Sequence, residues 1–201
     1  LILATLSPDH LMPATAPTVQ DRLGLRCAAM DLAAACAGFT YALATAMQFV
    51  ANGTSNYALV IGADANSRVV NPEDKQTYPL FGDGAGAVLL TAGSMEQGAL
   101  AYTLGADGSG ADLLYRPVGG AARPCHPDEP VSPGWYVQME GRPVFKWAVR
   151  LVEENASEVL KHAGLSNDQI DHWIFHQANT RILDAAAEAL GIDRARVAMK
   201  L

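Results

Sequence analysis

The chain has 201 residues, 50% of them hydrophobic and 17% charged, with a net charge of -7. That suits one globular domain or two small similar halves, and it excludes collagen-like, coiled-coil and disordered classes. No run reaches the roughly 18 uncharged apolar residues of a membrane-spanning helix, and the acidic balance speaks against a nucleic-acid partner. The cysteines, Cys27, Cys36 and Cys125, lack paired spacing, which argues against a disulfide framework and fits a reducing cytoplasm.

Leu1–Leu6 reads as a short strand ended by Ser7-Pro8-Asp9, and Thr15–Leu23 has helical spacing with Gly24 as its stop. Cys27–Ala35, apolar except for Asp31, predicts a strand buried on both faces. Gly38–Ala51 predicts a helix stopped by Asn52-Gly53, and Asn56–Gly62 another buried strand. Asn66–Tyr78 is polar, contains Pro72 and reads as a surface excursion. Phe81–Gly86 reads as a glycine-rich turn feeding a strand over Ala87–Thr91. Residues 105–134 form a long irregular crossing rich in glycine and proline. Beyond it come an amphipathic helix over Gly141–Ala163, a strand over Ile170–Phe175 and a helix over Asn179–Leu190 closed by Gly191. Strands and helices alternate in both halves, which predicts a parallel, layered α/β architecture. The chain opens in a strand-like run without methionine and stops in another, Val197–Leu201, so both ends read as cut.

Cys36 stands where a strand gives way directly to a helix, among small residues that allow a sharp turn. A helix N-terminus favours thiolate over thiol, so Cys36 is a candidate nucleophile; the alternative is a buried structural cysteine. Cys27 opens a strand, and Cys125-His126 lacks the spacing of a zinc site, so no metal is implied. The turn Gly82–Gly86 is not a phosphate loop, because its glycines lead into a strand rather than a helix. His176 repeats the Cys36 placement in the second half, at a predicted strand's carboxyl end with a helix behind it. His10, His126, His162 and His172 show no such placement. A thiol and an imidazole on two such turns, if they face each other, suit acyl chemistry on thioesters.

Asp31–Phe39, Phe81–Ala87 and His176–Ile182 together resemble β-ketoacyl-acyl-carrier-protein synthase III, in the family's order and with near-family spacing. The resemblance implies a thiolase-like layered fold of two related βαβαβαββ halves, here over residues 1–95 and 96–201 and incomplete at both termini. It implies a homodimer with no cofactor beyond thioesters of coenzyme A and acyl carrier protein. By that resemblance Cys36 takes an acyl group from an acyl-CoA primer, and its backbone N–H supplies half of an oxyanion hole. His176 assists decarboxylation of malonyl carrier protein, and the carbanion attacks acyl-Cys36 to give a 3-oxoacyl carrier protein. Phe81 lines the acyl pocket, Met12 reaches a partner subunit's pocket as a shape gate, Lys75 matches a position touching the CoA nucleotide, and Asn179 is a substrate-binding residue. The family's third catalytic residue, an asparagine, is expected beyond Leu201; Asn179 is not its substitute. The 201 residues are therefore expected to fall short of the full condensation alone.

Arg142, Lys146 and Arg150 recur every four residues on the predicted long helix, and Arg181 begins the next. They read either as a solvated face, given Glu153, Glu154 and Glu158 nearby, or as a landing site for an acidic carrier protein that the overall charge would repel. The resemblance places Lys146 and Arg181, with Arg142 beside them, in that second role. Three other readings compete with fatty-acid initiation: a relative from polyketide, quinolone or ester metabolism, a non-catalytic dimer partner, and a nucleotide-binding oxidoreductase. The Cys36 and His176 motifs do not separate the first; they oppose the second, and the order of the glycine turn opposes the third.

Overall fold

The computed structural model describes residues 1–94 and 97–200, in two compact units: Leu1–Arg68 with Gly82–Gly98, and Val69–Phe81 with Ala99–Leu201. The boundary expected between 95 and 96, and the last residue of the run Val197–Leu201, lie outside the described residues.

The first unit is a four-stranded sheet with helices. Its strands are β1 (Ile2–Ala4), β2 (Met30–Leu32), β3 (Tyr57–Ala65) and β4 (Asp83–Thr91), in the order β2-β1-β3-β4. β1 runs parallel to β2 and β3, whereas β4 is antiparallel to β3, so the sheet is mixed rather than parallel throughout. Helix α1 spans Thr15–Arg22 and α2 spans Gly38–Ala51. Two strand expectations change. β2 is only three residues long and half-exposed, because it is an edge strand with one neighbour. The Gly82–Gly86 run is not a turn: from Asp83 onward it is β4. Gly86 opposes Gly62, Ala85 opposes Ala63 and Gly84 opposes Asp64, so small residues on both strands let the pairing run to its end.

The core of this unit is a seam of small side chains. Ala42 and Ala46 of α2 are fully buried against Ile2, Ala4, Ala58 and Val60 of the sheet. The spacing of Gly38, Ala42 and Ala46, four residues apart, puts all three on one helix face. At its first turn α2 comes so close that a Cβ on Gly38 would lie 3.3 Å from the Cβ of Ala4.

The second unit contains a two-stranded ribbon, β5 (Leu114–Tyr115) with β6 (Gln138–Met139), and two long helices. These are α3 (Gly141–Ala163) and α4 (Thr180–Leu190), each closed by a glycine in the left-handed region, Gly164 and Gly191. Their apolar faces meet in a core of Ala156, Leu160, Trp173, Ala187, Leu190, Ile192 and Val197. The predicted surface excursion over 66–78 is partly internal: Val69, Val70 and Thr77 are buried, and the Val69 carbonyl accepts the Val137 N–H at 2.9 Å. The strand expected over Ile170–Phe175 shrinks to one parallel bridge, Trp173 with Val197. The side chain of Gln177 takes over beyond it, donating to the Phe175 and Ala198 carbonyls and accepting from the Lys200 N–H. No helix among the described residues is long and apolar enough to cross a membrane.

Two close approaches give a stability prediction. Gly110 sits against the ring of Trp147 on α3, where an added Cβ would fall 2.6 Å from a ring carbon. Gly110→Ala is expected to cost about 2 kcal/mol, as overpacking does. Gly38→Ala, which must also push α2 off Ala4, is expected to cost about 1 kcal/mol despite the better helix propensity of alanine. Urea unfolding midpoints of the two variants check both values.

Candidate active-site residues

In the first unit, Cys36 follows β2 by four residues. The intervening backbone turns sharply: Ala35 has φ of 44°, a left-handed conformation uncommon for a residue with a Cβ, and Ala35–Ala37 form a short 3-10 turn before α2 begins at Gly38. The turn puts the thiol ahead of the helix, at the end of the sheet where parallel strands finish. Cys36, Cys27 and Cys125 are all free and exposed.

The expected thiolate is not what the surroundings favour. Although the residue is exposed, loss of water around the sulfur pushes the Cys36 thiol above its ordinary value. A hydrogen bond at its own backbone pulls the other way, and the Asp64 carboxylate adds to the rise.

Asp64 belongs to a network that sequence reasoning missed. Its Oδ1 accepts from the Leu6 N–H at 2.8 Å, from Thr5 Oγ1 at 3.1 Å and from Ser7 Oγ at 3.4 Å. The Ser7 hydroxyl in turn accepts the Ala65 N–H at 2.7 Å. The exits of β1 and β3 are thereby tied together, and the Thr5 N–H reaches the Leu32 carbonyl of β2 at 3.3 Å. These groups surround a concavity of about 390 Å³ floored by Leu3, Ile61 and Ala63. Asp83 supports the next turn, accepting from both the N–H and the hydroxyl of Ser67, bonds that hold its carboxyl below the usual range. Met12 is 84% exposed on the segment between β1 and α1.

In the second unit, His176 follows the Trp173–Val197 bridge and precedes α4. Partial desolvation holds its imidazole below its ordinary pKa, hence neutral at neutral pH. Asn179 is the N-cap of α4, its Oδ1 accepting the Ile182 N–H at 3.0 Å, so that oxygen is committed to the helix. Phe81 is half-buried after the 3-10 turn Tyr78–Leu80, and Lys75 is exposed on the preceding turn. Arg142, Lys146 and Arg181 come together: with Gly141, Pro143 and Phe145 they line one groove of about 560 Å³ between α3 and α4. Arg150 stands apart, 3.7 Å from Glu154. Among the described residues, no group of three or more His, Cys, Asp or Glu side chains is placed to hold a metal ion.

Comparison with known proteins agrees with this architecture. Two profiles match, described as 3-oxoacyl-[acyl-carrier-protein (ACP)] synthase III over residues 30–108 and as its C-terminal part over residues 160–201. A β-ketoacyl-[acyl-carrier-protein] synthase III of Rhodopirellula baltica is 46% identical over 219 residues, covering 100% of this chain and 64% of its own. One from Desulfitobacterium hafniense is 48% identical over 202 residues, covering 100% and 61%. The crystal structure of the Thermus thermophilus synthase III superposes with a TM-score of 0.90 at 42% identity, over 99% of this chain and 61% of that one. The fold is thiolase-like. The chain belongs to the β-ketoacyl-[acyl-carrier-protein] synthase III family, and spans 61–64% of the length of these relatives.

The surroundings of Cys36 predict its pH response. Alkylation of Cys36 by iodoacetamide, followed by peptide mass spectrometry, is expected to keep accelerating as pH rises past the ordinary thiol range. Asp64→Asn keeps an acceptor oxygen but removes the like charge, so it should move that profile to lower pH. A plateau already reached at neutral pH in the parent protein would contradict this.

Proposed function

We propose that this protein serves the initiating condensation of fatty-acid synthesis, with Cys36 as the acyl acceptor. The observation that carries the reading is the Cys36 turn: a free, exposed thiol at a strand exit, held by a left-handed Ala35, in a chain of this family. The Cys36 sulfur loses its proton and attacks the carbonyl carbon of an acyl-CoA thioester. A new C–S bond forms, the bond to coenzyme A breaks, and coenzyme A leaves as the thiol. Malonyl-acyl carrier protein then loses CO₂, and the resulting carbanion attacks the acyl carbon on Cys36. Carbon–carbon bond formation expels the Cys36 sulfur and yields a 3-oxoacyl carrier protein.

His176 supports the decarboxylation by donating an N–H to the thioester carbonyl as the enolate develops. A neutral imidazole still carries one ring N–H, which is the donor this task requires. Phe81 and Met12 shape the acyl pocket, Met12 acting on that of a second copy in a homodimer. Lys75 meets the nucleotide of coenzyme A, and Asn179 orders the turn beside His176 through its cap on α4. The groove of Arg142, Lys146 and Arg181 receives the acidic carrier protein, a local attraction on a chain whose net charge is -7. In the same reading residues 1–95 and 96–201 are the two related halves, the reaction needs no cofactor beyond its thioesters, and it takes place in the cytoplasm.

Incubation with an acyl-CoA, read by intact mass and by release of coenzyme A, tests the proposal. The protein is expected to gain one acyl group, Cys36→Ala to gain none, and His176→Ala to gain it at a rate near the parent's. Arg181→Glu should leave this acylation unchanged while weakening capture of carrier protein by about tenfold, since rim charges act mainly on encounter. Equal damage to both readouts would contradict the role given to Arg181.

A further inference from the structure

Helix α1 has no cap of its own. Ala14 precedes it, no side chain caps it locally, and its first turn contains no acidic residue. The orphan N–H groups of Thr15 and Ala16 instead donate to a residue from another element, Asp31 of β2. Its Oδ2 accepts from Thr15 at 2.8 Å and its Oδ1 from Ala16 at 2.7 Å. Both carboxylate oxygens are used, in short charge-assisted bonds. Asp31 is itself fixed at the middle of β2, opposite Leu3 of β1.

The segment that these bonds anchor is short. Thr15 Oγ1 accepts the Asp9 N–H at 2.9 Å, which closes residues 9–15 into a loop. At the loop's other end, Ser7 is tied to Ala65 through its hydroxyl and to Thr5 through its N–H. Between these anchors Leu11 and Met12 stand out, 86% and 84% exposed. Two large apolar side chains on a segment held at both ends form a projection whose position is set by the sheet. β2 then runs on into the Cys36 turn, so a single strand carries both the anchor of the projection and the nucleophile.

We propose that Asp31 is a positioning residue that holds the Leu11–Met12 projection in place and thereby sets the length of acyl chain that the protein accepts. The inference rests on the function proposed above, in which Met12 shapes the acyl pocket of a second copy in a homodimer. Asp31 touches no substrate and acts through Met12. A fixed side chain excludes chains that a loose one admits, so releasing the projection broadens the acyl preference without removing the nucleophile.

The test uses Asp31→Asn, which keeps the size but places an amide before the two N–H groups, together with Met12→Ala and the double variant. Thr15→Val, which opens the loop but leaves Asp31 in place, serves if Asp31→Asn does not fold. Two readouts are taken: hydrogen exchange over residues 9–16, and Cys36 acylation across straight-chain acyl-CoAs from acetyl to decanoyl. Asp31→Asn is expected to speed exchange at Thr15 and Ala16 by about tenfold, as loss of a charge-assisted bond allows. It should raise long-chain over short-chain acylation by about tenfold, the discrimination that one displaced methylene carries. The double variant should match Met12→Ala alone, because Asp31 acts only through Met12. Unchanged exchange in Asp31→Asn overturns the proposal, and so does an unchanged chain-length profile in either Asp31→Asn or Met12→Ala. A uniform loss across all chain lengths also overturns it, since that is what a purely structural role produces. If the parent protein forms no Cys36 adduct with any acyl-CoA, the proposed function fails and the length-setting role with it; the exchange readout then decides the anchor alone.

Discussion

The first unit depends on how closely α2 can approach its sheet. Gly38, Ala42 and Ala46 present almost no side chain to β1 and β3, and the helix settles onto the strands through that seam. The start of α2 is the end of the Cys36 turn, so the same approach that fills the core also places the Cys36 thiol. A larger residue at Gly38 would press on Ala4 at the first turn of the helix, directly after the Cys36 turn. Close packing of this kind transmits small displacements because an interior has little free volume to absorb them. Packing and the position of the candidate nucleophile are therefore one property of the sequence.

Around that seam, hydrogen-bonded carboxylates organise the ends of the strands. Asp64 joins the exits of β1 and β3, Asp31 ties β2 to α1, and Asp83 steadies the turn after β3. Asp64 also acts electrostatically, since its charge works against ionisation of Cys36. Loss of water around the sulfur is the larger cause of the raised Cys36 pKa, and the Asp64 charge adds to it. In the second unit desolvation keeps His176 uncharged, a state suited to donating a hydrogen bond. In both groups loss of surrounding water moves the pKa further from neutrality, upward for the thiol and downward for the imidazole.

Much of this was legible in the sequence, and the parts that were not have physical reasons. The helices announced themselves: α2 and α3 have the predicted bounds, because amphipathic spacing and glycine or Asn-Gly stops are local signals. Strands depend on neighbours far away in the chain. The run Ile170–Phe175 is apolar enough for a strand, yet it finds a backbone partner only at Trp173, and a glutamine side chain completes the pairing. The glycines of 82–86 looked like a turn because their usefulness in a strand appears only when Gly62 and Ala63 lie opposite. Cys36 and His176 stood out as reactive side chains at strand-to-helix transitions, but the electrostatics of the thiol depended on Asp64, 28 positions away. Asp31 left a trace, the one charged residue in an apolar run, and its partners on α1 could not be named without the fold.

Under the proposed function, one of three exposed thiols takes the acyl group. The direct measurement is site-resolved: incubate the protein with an acyl-CoA, digest it, and locate the thioester by tandem mass spectrometry among Cys27, Cys36 and Cys125. The acyl group is expected on Cys36, with Cys27 and Cys125 unmodified. Acyl groups spread evenly over the three cysteines, or confined to Cys27 or Cys125, would contradict it.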